Sequence, residues 1–205
     1  MTDILAWHFA GKTLRDGRPI PSDGEWLEQS GEIIPCKRGL HGSVRLIDAL
    51  EYAPSATLCR VTLAGTIVPH NGDKHAASRR IIHWRIDASD LLHAFARRCA
   101  LDVIHLWAAQ EIMRQYLETG DETLRGAAWD AAREGAGKAA DAARGAAWAA
   151  WVAARGAPWD AARAAAGDAA WATRDAQNDT MTAMVYTAAK NRGYEMEPII
   201  RDTDN

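Results

Sequence analysis

Cysteine is scarce in this chain and follows no pattern. Cys36, Cys59 and Cys99 are odd in number and far apart, with neither Cys-x-x-Cys spacing nor a disulfide framework. Buried free thiols in a reducing compartment are the expectation. A basic excess is also lacking. The net charge of -3 over 205 residues provides no global field to attract nucleic acid. Up to Trp107 there are 13 basic and 12 acidic residues, and beyond it 11 and 15, so the tail is mildly acidic rather than a basic arm. No long apolar run is free of charge, which excludes a membrane span. The opening MTDILAWHF carries Asp3 and no basic stretch ahead of an apolar one, so no signal peptide is read and a cytoplasmic location is expected. There is no glycine-rich phosphate loop. His70, His75 and His83 lack the acid or thiol that completes tight metal-ligand spacing, so no metal is expected.

The first part of the chain reads as short strands and turns. ILAWHFAG is a candidate strand, followed by a Gly-, Pro- and Asp-rich loop from Lys12 to Gly31. ATLCRVTLAGTIV alternates, with Cys59, Val61 and Leu63 on one face and Arg60 and Thr62 on the other. Gly65 marks a bulge or bend within it. SRRIIHWRID alternates again, setting Ile82, Trp84 and Ile86 against Arg79, His83 and Arg85. Between the strands, Leu46, Ala49, Leu50 and Ala53 stand at helical spacing before Pro54. Asp87 or Ser89 is placed to cap a helix through DLLHAFARRCALDVIHLW. QEIMRQYLE forms a second helix ending at Gly120, with Asp121 placed to cap the next.

From Gly126 to Ala176 the composition changes, with 25 of 51 residues alanine. WDAAR occurs at Trp129–Arg133 and Trp159–Arg163, with degenerate copies between, and Arg133, Arg144 and Arg155 are spaced by 11. Eleven residues make three helical turns, so equivalent positions stay in line. Alanine favours helix, while Gly156 and Pro158 interrupt it, so two antiparallel helices meeting near residue 157 are expected. Ala132, Ala143 and Ala154 line one face; tryptophans and arginines share another. Packing is the preferred reading of that second face, over a platform for single-stranded nucleic acid. The fold class expected is α+β: an α+β recognition domain over 1–107, a connecting helix over 108–125, a repeat-bearing helical hairpin over 126–192 and a tail over 193–205.

GLH at Gly39–His41, DALEYAP at Asp48–Pro54, CRVTLAGTI at Cys59–Ile67 and DKHAASRRI at Asp73–Ile81 together resemble an uncharacterised domain of bacteriophage and bacterial proteins. CALDVIHLW and RQYLETGDE belong to its actinobacterial-looking branch, and the resemblance covers most of residues 4 to 125. It implies a phage or prophage origin and a role in the host cytoplasm. The order His41, Tyr52, then LCRVTLAG also looks distantly like the ADP-ribosyltransferase pattern. That pattern implies His41 on a ribose of NAD and Tyr52 stacked on the nicotinamide. Asp73 and Asp87 are the candidates for its third member, a carboxylate, and no paired glutamate motif occurs.

Simpler expectations stand beside these. His41 satisfies backbone groups at a turn, with Gly42 or Ser43 opening the helix, and Tyr52 is a core residue with its hydroxyl at the surface. Arg60, Lys74, Arg79, Arg80 and Arg85 form the one local basic concentration. By default they are a solvated strand face paired with acids such as Asp48 and Glu51. If the strands are neighbours, they converge on a phosphate near His41. The ligand-binding candidates are therefore His41, Ser43, Tyr52, Arg60, Lys74 and Arg79. The function expected first is a non-enzymatic accessory protein binding a host protein or a nucleotide-like small molecule, with no cofactor. An NAD-using enzyme is the alternative, and a homo-oligomer built through the alanine face is the third.

Overall fold

The computed structural model describes residues 2–106, 109–138 and 174–197. The turn expected near residue 157 and most of the eleven-residue repeat lie outside them. The strands are β1 (Ile4–Ala10), β2 (Trp26–Glu28), β3 (Leu40–Gly42), β4 (Thr57–His70) and β5 (Lys74–Asp87). The helices are α1 (Leu46–Leu50), α2 (Ser89–Val103), α3 (Glu111–Thr119), α4 (Arg125–Lys138) and α5 (Arg174–Asn191), with a 3-10 turn at Ile104–Leu106. The α+β class read from the sequence is the class adopted. The chain divides into two compact units, Met1–Asp87 with Thr182–Asn205, and Ala88–Met181.

In the first unit every strand pairing is antiparallel, and the order is β1-β4-β5-β2 with β3 also on β5. β4 and β5 form a long hairpin whose tip holds Asn71 at φ 53° and Gly72 at φ 76°, the positive values a tight turn demands. Two bulges bend this hairpin. His83 is an extra residue between the Arg60–Trp84 and Val61–Ile82 pairs, and Gly65-Thr66 face Ser78 alone. Gly65 sits at φ 73°, the conformation such a bulge favours. The bend brings β3 onto the start of β5, and Ser43 then exchanges backbone hydrogen bonds of 2.8 and 2.9 Å with Trp7 of β1. β1, β4, β5 and β3 thus close into a ring.

Inside it, Ala6, Ala10, Cys59, Val61, Leu63, Ala77 and Ile82 form a core of small and branched side chains. α1 is buried at all five positions and contacts β1; the chain leaves it at Pro54, which cannot continue a helix.

Two strand readings need correction. Arg60 and Thr62 are buried, not solvent-facing. The Arg60 guanidinium lies 4.1 Å over the Trp7 ring, and Tyr186 of α5 packs on the same ring at 6.1 Å. Trp84 does not share a face with Ile82, because the His83 bulge reverses the alternation and pairs Trp84 with Arg60. There Trp84 meets Trp7 edge-on at 5.9 Å, stacks on Tyr194 at 5.4 Å and donates its indole N–H to the Glu195 carbonyl. The loop expected from Lys12 to Gly31 also contains β2. Three residues carry no periodicity to read, and β2 is held by pairing with β5 and by Arg79, which stacks on Trp26 and pairs with Glu28.

In the second unit, α2 begins at Ser89 with Ala88 at the cap position, and it buries Leu92, Phe95, Ala96, Cys99 and Ala100. α3 contributes Met113, Tyr116 and Leu117 and stops at Gly120, whose φ of 68° ends the helix in left-handed geometry. The Asp121 carboxylate accepts from the Thr123 backbone N–H and hydroxyl just ahead of α4, whose Ala128, Ala131 and Ala132 are buried. No helix among the described residues is long and apolar enough to cross a membrane.

Candidate functional site

The ring leaves a cleft of about 970 Å³ in the first unit, between β1, β3, the end of α1 and the loops at Thr13–Arg18 and Cys36–Gly39. This volume suits a small-molecule ligand. Its apolar lining includes Trp7, Phe9, Leu14, Ile20 and Leu40. Its charged lining is almost entirely basic: Arg15, Arg18, Lys37, Arg38, Lys74 and Arg80, against the single acid Asp16. Arg18 is tied to that acid at 2.7 Å. Among the described residues no carboxylate pairs with the other five.

Two of these cations are buried. Arg80 is 3 % exposed; its Nη1 donates to the His41 carbonyl oxygen at 2.7 Å, and its Nε has no hydrogen-bond partner. Burial pulls its pKa down to about 10. Lys74 is 8 % exposed, with its ammonium 3.6 Å over the Tyr52 ring. A buried charge is expensive unless something of opposite sign meets it. Here the facing space is the cleft.

His41 is half-buried, and its Nε2 accepts the Cys36 backbone N–H at 3.2 Å. Burial first, then the fields of Lys74 and Arg80, lower its pKa to about 4, so it is neutral near pH 7. His8, on the neighbouring strand, is also held well below the ordinary histidine value, by burial and then by Arg80 and His41. Tyr52 is 46 % exposed and donates its hydroxyl to Asp73 Oδ2 at 2.5 Å. That bond, with some desolvation, pushes the phenol up to about 12. The second Asp73 oxygen is buried and has no hydrogen-bond partner.

Of the residues singled out from the sequence, His41, Ser43, Tyr52 and Lys74 line the cleft. Ser43 does so beside its backbone ladder to Trp7. Arg60 and Arg79 do not line it; each lies over a tryptophan, Trp7 and Trp26. Arg85 is bound to Asp23 and the Pro21 carbonyl. The basic concentration therefore divides, with only Lys74 and Arg80 reaching the cleft. Asp48 is not its counterion, since it faces Arg45 at 3.9 Å.

Sequence reasoning missed the central place of Arg80, and a signal for it existed: an arginine in step with Ile82 in an alternating strand. His8, Arg15 and Cys36 carried no such signal, since they reach the cleft only through ring closure. Among the described residues no group of three or more His, Cys, Asp or Glu side chains is arranged to hold a metal.

Residues 4–94 match the domain of unknown function DUF7666. The match takes in the whole sheet, α1 and the cleft, and agrees with the resemblance to an uncharacterised domain drawn from the motifs. Neither a curated protein nor a solved structure matches the chain.

Proposed function

We propose that the sheet unit captures a nucleotide-like, phosphate-bearing small molecule in its basic cleft. One observation carries the reading: Arg80 is buried at the cleft with no carboxylate partner and an unfilled Nε. A phosphate oxygen supplies both the countercharge and the acceptor. Lys74, Arg15 and Arg38 extend the positive lining for a second phosphate, and the apolar walls suit a ring system. A phage-encoded accessory role in the host cytoplasm is the setting that the motif resemblance supports.

The test is a thermal-shift panel of pyrophosphate, ADP, ADP-ribose, NAD and cyclic nucleotides. Ligand at about 100 times its Kd adds ~2.7 kcal/mol to the folded state. The melting temperature should rise with a phosphate-bearing member, the rise should shrink with salt, and Arg80→Gln should abolish it. If no member of the panel moves the wild type, the reading fails.

A second reading is favoured by Asp73. An NAD-using enzyme of the ADP-ribosyltransferase type needs a carboxylate beside His41 and Tyr52. Asp73 is bonded to the Tyr52 hydroxyl, and its second oxygen is buried without a hydrogen-bond partner, although the residue itself does not line the cleft. Release of nicotinamide from NAD, abolished by Asp73→Asn, would move the protein from binder to enzyme. Stabilisation by NAD without any release would leave it a binder.

A further inference from the structure

The cleft also contains a thiol that the nucleotide reading does not use. Cys36 is the exposed member of the three cysteines; Cys59 and Cys99 are buried. Burial raises the Cys59 thiol to about 11 and the Cys99 thiol to about 12, which keeps them inert. Cys36 lines the cleft, and its Sγ lies 3.5 Å from His70 Nε2, so the two form a thiol–imidazole pair. The Cys36 backbone is fixed on both sides. Its N–H is bound by His41, and its carbonyl accepts from the Arg15 guanidinium. Arg15, Lys37, Arg38 and Lys74 line the same cleft, and behind them Arg80 points to an anionic occupant independently of the thiol.

We propose that Cys36 is a thiol–disulfide exchange site selective for anionic disulfides of the glutathione type, and that the resulting mixed disulfide closes the cleft to its phosphate ligand. The steps balance. His70 Nε2 takes the Cys36 proton, and the thiolate attacks one sulfur of glutathione disulfide. The Cys36–glutathione S–S bond forms while the original S–S bond breaks. The departing glutathione thiolate recovers the proton from His70. Cys36 is oxidised and the leaving half of the disulfide is reduced. The cations raise the local concentration of a reagent with two net negative charges, and the attached tripeptide then places carboxylates against them. The proposal rests on the nucleotide reading only for the blocking effect.

The test uses the folded full chain with glutathione disulfide and with neutral 2-hydroxyethyl disulfide, followed by intact mass and peptide mapping. One adduct is expected, on Cys36. Relative to a short cysteine peptide, the preference for the anionic disulfide should be about tenfold greater at low salt and should fall in high salt. His70→Asn should slow both disulfides alike while the preference persists. A peptide-like preference, or modification of Cys59 or Cys99 ahead of Cys36, would overturn the site. Unchanged rates in His70→Asn would overturn the role of the pair. The modified protein should lose its thermal shift with pyrophosphate, and a surviving shift would overturn the closing effect. A wild type that shifts with no member of the phosphate panel refutes the nucleotide reading and, with it, the closing effect, while the rate preference alone decides the exchange site.

Discussion

Arg80 Nη1 donates to the carbonyl oxygen of His41 at 2.7 Å, and the imidazole of that same His41 accepts the N–H of Cys36 at 3.2 Å. A buried cation on β5, a neutral histidine on β3 and an exposed thiol on the preceding loop are thus linked along one wall of the cleft. The linkage explains why the cation is tolerated there: a carbonyl dipole offsets part of its desolvation. It also shows what is missing, since a dipole does not neutralise a charge.

Arg80→Met follows from that imbalance. Replacing a buried ionic group by an apolar side chain of similar volume is often neutral or stabilising by ~1–4 kcal/mol. We expect the ligand-free variant to be about 1–2 kcal/mol more stable in urea denaturation while losing its thermal shift with phosphate compounds. A variant less stable than wild type by more than about 1 kcal/mol would mean that the guanidinium serves as a structural strut.

The phenol of Tyr52 should report its partner directly. Its ionisation lies at about 12, against 10.0 for an ordinary tyrosine, chiefly because it donates to Asp73. In ultraviolet pH titration, the wild type minus Tyr52→Phe should show one phenol ionising late. Asp73→Ala should bring that phenol back toward its ordinary value. Since the folded value is the higher one, this bond contributes stability below pH 10, and the contribution is lost as pH rises through 12. An unshifted phenol in the wild type would remove Asp73 from contact with Tyr52 in solution.

Much of this fold was legible because its signals are local. The alternation of β4, the Gly65 bulge, α1 before Pro54 and the Gly120 stop each follow from residue type and spacing. What could not be read depends on closure. A single bulge at His83 moves Trp84 to the other face, and no residue there announces it. Likewise Arg60 is buried over Trp7, a ring that Tyr186 also packs against from more than a hundred residues away in sequence. The lining of the cleft was legible in part, at His41, Ser43, Tyr52 and Lys74. Its basic character was legible only in part: strand cations were read as able to converge near His41, but Arg15 and Arg38 come from irregular loops and Arg80 looked like one charge among several.

His41 gives the cleft a pH dependence of definite sign. Its folded pKa of about 4 lies below the 6.5 of an exposed histidine, so between these values the unfolded chain binds more protons. Its contribution to stability is whole above pH 6.5 and is lost as pH falls through 4, and His8 acts in the same direction. An anion seated against Arg80 and Lys74 offsets the two largest of the fields that depress His41 and favours its charged form. In a proton NMR titration, the His41 ring resonance should therefore move at a higher pH with pyrophosphate bound than without it. An identical midpoint in both states would place the anion away from this wall.

Gly65 tests the closure itself. At φ 73° it adopts a conformation that disfavours other residues, and a Cβ there would stand 2.3 Å from Ser78 Oγ. That hydroxyl already accepts the Thr66 N–H at 2.9 Å and fixes the bulge. Gly65→Ala should cost about 1–3 kcal/mol through backbone strain and the displaced serine. Adding Ser78→Ala should recover only the steric part, because the φ cost remains. The bulge bends the β4–β5 hairpin toward β3, so the decisive readout is hydrogen exchange at the Ser43 and Trp7 amides. Faster exchange there than across the β1–β4 ladder is expected; uniform acceleration would mean that the bulge stabilises the sheet without closing the ring.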